Sequence, residues 1–129
     1  HLDSCVVSPT HSALLDLPAR QRLQQLHLSA IVTPLRNGAL MRAHGFDGAR
    51  ELDWWQSTSA VTVPVTSVPS KHFSARGLSD RDRNLCGGFV LSGPSGNLYF
   101  AGDTGWGGHF AESGRRFAPI RLAMLPIGA

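Results

Sequence analysis

An apolar strand that runs directly into a glycine-flanked aspartate is the feature that most constrains this sequence. The segment reads Phe100-Ala101-Gly102-Asp103-Thr104-Gly105, and its small residues leave the Asp103 carboxylate accessible and let the backbone approach a ligand closely. A histidine, His72, follows a second predicted strand that ends near Val68. Because an imidazole and a carboxylate at two strand ends can reach the same point, the pattern predicts a metal site built on strand termini.

Helices and strands alternate in the first half of the chain, and strands dominate the middle. A hairpin is indicated by the glycine-rich turn at 92–96, and Pro64 indicates an edge or a bulge in the strand that contains it. This order predicts an α/β fold with a mixed sheet, in a single domain that spans residues 1–129. The predicted strands are 5–8, 30–34, 51–55, 61–68, 87–91, 97–101 and 122–126, and the predicted helices are 16–28, 39–44 and 109–113.

Charge and composition narrow the class of protein. The chain has a formal net charge of +3, and its arginines are interleaved with acids, so no nucleic-acid partner is expected. No apolar run approaches the roughly 20 residues that a membrane-spanning helix needs, and residues 1–5 do not look like a signal peptide. Cys5 and Cys86 match neither a disulfide framework nor a zinc knuckle, which predicts buried, reduced thiols in a cytoplasmic protein.

Several strings that occur in a fixed order resemble the metallo-β-lactamase-fold hydrolases, and among them the group of N-acylphosphatidylethanolamine phospholipase D. The resemblance implies a partial metallo-β-lactamase fold, with a mixed sheet and helices packed on one face, which is half of an αββα sandwich. The matching segments are Leu15-Asp16-Leu17-Pro18, Val32-Thr33-Pro34-Leu35, Glu51-Leu52-Asp53-Trp54-Trp55-Gln56, Val68-Pro69-Ser70-Lys71-His72-Phe73, Asp80-Arg81-Asp82-Arg83-Asn84-Leu85-Cys86-Gly87-Gly88, Phe100-Ala101-Gly102-Asp103-Thr104-Gly105 and Leu125-Pro126-Ile127-Gly128-Ala129.

The resemblance also implies a metal site, from which this sequence departs. In that family a His-x-His-x-Asp-His loop, a later histidine and a bridging aspartate hold two metals, and a hydroxide between them attacks an ester, lactone or phosphodiester. Here the loop reads Pro9-Thr10-His11-Ser12-Ala13-Leu14, so only His11 matches it, while His72 and Asp103 match the later ligands. These three residues could hold one zinc ion, or none, and the second metal should not bind. His72 and Asp103 are then the candidate catalytic residues, and no organic cofactor is expected.

Two functions from different classes follow. The first is hydrolysis of a small-molecule ester or phosphodiester with weak or no activity, because a single metal cannot hold both the attacking and the leaving oxygen. The second is a non-catalytic structural or binding module, a homodimer in which a second copy covers the apolar sheet face that half a sandwich exposes. The sequence also leaves open that the chain is a fragment of a longer protein.

The candidate residues also have purely structural interpretations. His11 can equally be a polar loop residue, and His72 and Asp103 can serve to bond backbone groups at strand ends. His27, His44 and His109 have no companions at ligand spacing and are expected at the surface. Trp54 and Trp55 are expected on opposite faces of the strand 51–55, since neighbouring side chains alternate along a strand.

Overall fold

The computed structural model describes residues 4–8, 17–26, 28, 30–59, 62–71 and 85–127, in which the strands form two sheets. The first sheet is parallel and has the order β1-β2-β3, with β1 at Ser4–Val6, β2 at Ala30–Pro34 and β3 at Arg50–Leu52. The second is mixed and has the order β4-β5-β6-β7-β8, in which only β7 and β8 run parallel. Its strands are β4 (Ser57–Thr58), β5 (Val65–Pro69), β6 (Gly87–Gly93), β7 (Gly96–Phe100) and β8 (Ile120–Met124).

Within the described part of the chain, three helices cover the outer faces of these sheets. They are α1 (Leu17–Gln25), α2 (Gly38–Ala43) and α3 (His109–Arg116). Helices α1 and α2 pack on the first sheet around a buried cluster of Ile31, Met41 and Phe46, to which Leu23 adds. Helix α3 packs on the second sheet through Phe110, which contacts the cluster of Val68, Val90, Tyr99 and Ala101. No described helix is long and apolar enough to cross a membrane.

The two sheets pack face to face around a third apolar cluster. Val32 and Leu52 of the parallel sheet meet Val65 and Phe89 of the mixed sheet, and all four side chains are buried. Strand β2 is therefore apolar on both faces, because its neighbouring residues Ile31 and Val32 point to opposite sides of the sheet. The layers run helix, sheet, sheet, helix, and each layer is held to the next by burial of alternate residues along the strands.

The expected α/β class with a mixed sheet is confirmed, while the layering is fuller than the half-sandwich that was expected. Strands β1, β2 and β3 do not join the later strands in one sheet but form a second one opposite them. The strand expected at 51–55 ends at Leu52, and Trp54 and Trp55 lie in the turn that follows. The expectation that these tryptophans alternate along a strand is therefore wrong, since a φ of 69° at Trp55 turns the chain towards the second sheet.

Candidate functional site

The ends of β1, β5 and β7 meet at one edge of the sandwich. Ser8 follows β1, and its hydroxyl donates a hydrogen bond to the carbonyl of Gly87 at the start of β6. Gly87 is in turn paired with Pro69, the last residue of β5. Gly102, just after β7, packs closely against both Ser8 and Gly87. A Cβ added at Gly102 would be 2.7 Å from Ser8 Oγ and 2.9 Å from the Gly87 carbonyl oxygen. The expected convergence of strand ends is therefore present.

Asp103 is presented at this edge by the turn at Gly102. Gly102 has a φ of +66°, a conformation that residues with a Cβ rarely adopt, and the close approach to Ser8 excludes a side chain there. The turn leads out of the buried position of Ala101 and leaves Asp103 exposed. The local signal in the sequence, a glycine before the aspartate, is thus the one that positions this carboxylate.

Of the three predicted metal ligands, Asp103 is the one the structure describes; His11 and His72 lie outside the described residues. Within the described part of the chain, no group of three or more His, Cys, Asp and Glu side chains could hold a metal ion. Asp103 alone therefore does not make a metal site. The set of His11, His72 and Asp103 stays a prediction.

The residue before His72 is nevertheless fixed against the Asp103 loop. The backbone N–H of Lys71 donates to the hydroxyl of Thr104 at 2.7 Å, and the N–H of Gly105 donates to the carbonyl of Lys71 at 2.7 Å. These two bonds join the end of β5 to the two residues that follow Asp103. Lys71, the residue before the predicted ligand His72, is therefore in direct contact with the loop that carries Asp103.

His109 belongs to the same region, which sequence reasoning missed. Its Nε2 lies 3.1 Å from Thr104 Oγ1, and the ring is half-buried rather than on the surface as expected. Burial lowers the pKa of His109, and the nearby charge of Lys71 lowers it further, so the neutral imidazole is favoured. Nothing in the local pattern around His109 indicates this contact, because it depends on how the glycine-rich loop 105–108 folds back.

Both cysteines are free and half-buried. Burial raises the pKa of the Cys86 thiol, and the charge of Asp103 raises it further. Burial likewise raises the pKa of Cys5. Cys86 precedes β6 and therefore lies at the same edge as Asp103, where its thiol is kept protonated and poorly nucleophilic. The expectation that the two thiols are buried is met only in part, since both are half-buried.

A groove of about 630 Å³ opens beside Asp103. Its walls come from the ends of β7 and β8, and Ser8 and Asp103 supply polar groups at one side. The groove therefore combines a carboxylate with apolar walls, an arrangement that suits a substrate carrying a polar reacting group and an apolar substituent. The lining residues are Ser8, Phe100, Gly102, Asp103, Ala123, Met124, Leu125 and Pro126.

The sandwich of two sheets between helices, with an aspartate at converging strand ends, defines a metallo-β-lactamase-like protein. Residues 9–129 match the family described as the beta-lactamase superfamily domain, and the chain belongs to that family. The predicted resemblance to this family and the mixed α/β fold that it implies are thereby confirmed.

Proteins similar to this chain occur in Mycobacterium tuberculosis and in Caenorhabditis elegans. A protein of Mycobacterium tuberculosis is 37% identical over 130 residues, which are 99% of this chain and 35% of the relative. The N-acyl-phosphatidylethanolamine-hydrolyzing phospholipase D 1 of Caenorhabditis elegans is 33% identical over 139 residues, covering 99% of this chain and 39% of the relative. The structure of CmlA, a diiron beta-hydroxylase from Streptomyces venezuelae, superposes with a TM-score of 0.72 at 14% identity, over 93% of this chain and 24% of that one. This last likeness concerns the fold alone.

Proposed function

We propose that this chain carries the site of a metal-dependent hydrolase that acts slowly on an ester or a phosphodiester. The observation that carries the proposal is the placement of Asp103, exposed at the converging strand ends and lining a groove with apolar walls. Family membership supports the reaction class. The chain spans 35% and 39% of the two relatives described above, so the substrates of those longer proteins are proposals for this one.

The proposed ligands are His11, His72 and Asp103. An exposed carboxylate on a strand end fits a divalent ion such as zinc, and two imidazoles would complete a set of three protein ligands with open positions. A bound ion would supply a water of lowered pKa as the nucleophile. Asp103 holds its carboxylate at the mouth of the groove, and Phe100, Met124 and Leu125 would orient the apolar part of the substrate and exclude water from it.

The substrate class follows from the groove and from the relatives. The Caenorhabditis elegans relative is described as hydrolysing N-acyl-phosphatidylethanolamine, and an apolar groove beside Asp103 would suit a phosphodiester or ester with an acyl chain. Slow turnover is part of the proposal, because Pro9, Ala13 and Leu14 stand where the resemblance implies metal ligands. The free thiols of Cys5 and Cys86 favour a reducing, cytoplasmic compartment for this activity.

The metal content of the purified chain tests this proposal. Protein prepared without a metal-affinity column should hold close to one zinc ion per chain by elemental mass spectrometry. Asp103→Asn should reduce the zinc content at least tenfold, since replacing a group that only hydrogen-bonds a metal ligand already costs about 10–100-fold in metal affinity. Hydrolysis of bis(p-nitrophenyl) phosphate should fall in parallel. Asp47→Asn is the matched control, because Asp47 is exposed on the loop before β3, at the opposite end of the parallel strands. A folded chain without metal, or full metal content in Asp103→Asn, would contradict the proposal.

A non-catalytic homodimer is the second candidate. The inner faces of the two sheets already pack on each other within one chain, so the surface that favours a dimer is the exposed edge strand β8. Among the described strands, β8 lies at the edge of its sheet, and apolar side chains on and after it are exposed: Leu122, Met124, Leu125 and Ile127. An exposed apolar edge strand is a template for pairing. Antiparallel pairing of β8 with its own copy about Leu122 would place the two Leu122 side chains together and Arg121 opposite Ala123, so that the like charges of the two Arg121 side chains avoid each other.

The oligomeric state decides on this second candidate. Light scattering at micromolar concentration should give the mass of two chains. Leu122→Arg should give one, because two arginines would face each other across the pair and like charges directly opposite are destabilising. Ser59→Arg adds the same charge on an exposed residue after β4, the opposite edge strand, and should leave the dimer intact. A single-chain mass for the unaltered protein would rule this candidate out.

A further inference from the structure

The loop between Asp103 and α3 is tied to the end of β5 by one side chain. The Thr104 hydroxyl accepts a hydrogen bond from the backbone N–H of Lys71 at 2.7 Å. The neighbouring peptide adds a second link, because the N–H of Gly105 donates to the carbonyl of Lys71 at 2.7 Å. The Lys71 peptide is thus held on both sides by two consecutive residues of the Asp103 loop.

The same hydroxyl is also linked to α3. His109 is the first residue of α3, and its Nε2 lies 3.1 Å from Thr104 Oγ1. Phe110 follows it, and the two rings lie 4.3 Å apart. Phe110 packs in turn on the buried cluster that contains Val68 and Tyr99. Through His109, the Thr104 hydroxyl is therefore connected to a helix that is anchored in the core.

The loop passes through a narrow space between these partners. A Cβ added at Gly107 would lie 2.9 Å from His109 Nδ1 and 3.2 Å from Lys71 Cδ. The backbone at Gly107 thus fits closely between the two side chains. This leaves the loop little freedom to move as long as the Thr104 contacts are intact, since fixed loops are those whose backbone bonds and packing are both satisfied.

We propose that Thr104 is a positioning residue, whose hydroxyl latches the Asp103 loop to the end of β5 and fixes the Asp103 carboxylate relative to that strand end. The consequence for metal binding rests on the proposed function above. A ligand that is oriented by its neighbours binds metal more tightly than the same ligand on a loose loop, because less freedom is lost on binding. The residue acts through Asp103 and does not itself contact metal or substrate.

Two variants separate the hydroxyl from the shape of the side chain. Thr104→Val keeps the branched shape and removes the hydroxyl, while Thr104→Ser keeps the hydroxyl. In Thr104→Val the Lys71 amide should exchange with solvent about fivefold faster by hydrogen-exchange mass spectrometry or NMR, as expected for loss of one hydrogen bond. Zinc affinity measured by titration should weaken about tenfold. Thr104→Ser should restore both values to those of the unaltered chain.

Ser57→Ala is the matched control, because it removes a hydroxyl on the edge strand β4 that lies 2.8 Å from the Thr66 hydroxyl on β5. It should change neither Lys71 exchange nor zinc affinity. Unchanged Lys71 exchange in Thr104→Val would overturn the latch. Faster exchange with unchanged zinc affinity would reduce Thr104 to a structural residue and overturn the positioning role. If the unaltered chain binds no zinc, the proposed function fails, and the exchange of Lys71 in the Val and Ser variants alone decides whether the latch exists.

Discussion

Replacing Gly88 by alanine is expected to lower the free energy of unfolding by about 3 kcal/mol, the upper end of the usual cost of adding atoms to a packed interior. Gly88 lies in the buried part of β6. A Cβ there would be 2.3 Å from the carbonyl oxygen of Phe100 and 2.9 Å from the carbonyl carbon and oxygen of Ala101. These are backbone atoms, which cannot rotate away as a flexible side chain can. The strands must separate or the ladder between β6 and β7 must shift.

The same substitution should also change the geometry of the candidate site. Phe100 and Ala101 lead directly into Gly102 and Asp103, so a displacement of their backbone moves the turn that presents the carboxylate. We therefore expect Gly88→Ala to weaken zinc binding as well as stability. The requirement for a missing side chain at Gly88 comes from the backbone of the neighbouring strand.

Urea unfolding followed by circular dichroism measures this prediction. Gly114→Ala is the control, because Gly114 lies within α3 and an added Cβ there would meet nothing within 4 Å. Alanine in a helix is favoured over glycine by about 0.5–1 kcal/mol, so this variant should be as stable as the unaltered chain or more so. A Gly88→Ala variant that unfolds at the same urea concentration as the unaltered chain would show that β6 and β7 can adjust to the added atom.

Elements with a strong local pattern could be predicted from the sequence. The hairpin of β6 and β7 was expected from two apolar segments around a glycine-rich turn, and the structure closes it between Gly93 and Gly96. Gly96 has a φ of +125°, which explains why a glycine stands at that position. Helices α2 and α3 were likewise expected within a few residues of their bounds. In these segments the turn residues and the periodicity agree with the structure, so the elements can be predicted without knowledge of distant contacts.

The arrangement of the layers could not be predicted in the same way. Ile31 and Val32 read as one buried strand, and the sequence does not say that one of them faces helices and the other faces a second sheet. That division depends on pairing between β2 and residues 50–52, which is non-local. The turn at Trp54 and Trp55 was missed for a similar reason. Trp55 is held by the packing of its ring against the guanidinium of Arg116, 4.0 Å away, a contact that links residues far apart in the chain.

In the candidate site, too, features with a local sequence signal could be predicted, and features that depend on distant contacts could not. The position of Asp103 at a strand end could be predicted because its signal is local, a strand followed by a glycine and an aspartate. The link between Thr104 and Lys71 joins residues 33 positions apart, and no spacing rule anticipates it. His109 was expected at the surface for the lack of a partner in the sequence, and its partner is a hydroxyl, which a search for metal-ligand spacing does not consider. The assignments of His11 and His72 stay predictions, since both lie outside the described residues.

Replacing Asn37 by aspartate is the second change from which we expect a large effect. Asn37 is fully buried in the turn between β2 and α2. Its side-chain amide donates to three carbonyl oxygens, those of Pro34 at 2.9 Å, Leu35 at 3.3 Å and Leu85 at 3.1 Å. The last of these bonds ties the parallel sheet to the segment that enters β6 at the site edge. A carboxylate would place negative charge against three acceptors and would remove every one of these bonds.

We expect Asn37→Asp to destabilise the fold by about 3–5 kcal/mol at neutral pH, the usual cost of leaving a buried charge without a partner. Asn97→Asp is the matched control, because Asn97 is half-buried and its amide donates to a single carbonyl, that of Phe117 at 2.7 Å; about 1 kcal/mol should be lost there.

The pH dependence of Asn37→Asp separates the effect of the buried charge from the effect of the lost hydrogen-bond donor. Burial against carbonyl oxygens raises the pKa of a carboxyl at position 37 above its value in the unfolded chain. The unfolded state then loses its proton first as pH rises, so the variant is destabilised progressively above the unfolded pKa, and the deficit shrinks as pH falls through the folded pKa. Below it, a protonated carboxyl can donate one of the three lost bonds. Urea midpoints measured at pH 4 and pH 7 should therefore bring Asn37→Asp closer to the unaltered chain at the lower pH. An equal deficit at both values would mean that the lost donor geometry, and not the buried charge, destabilises the turn.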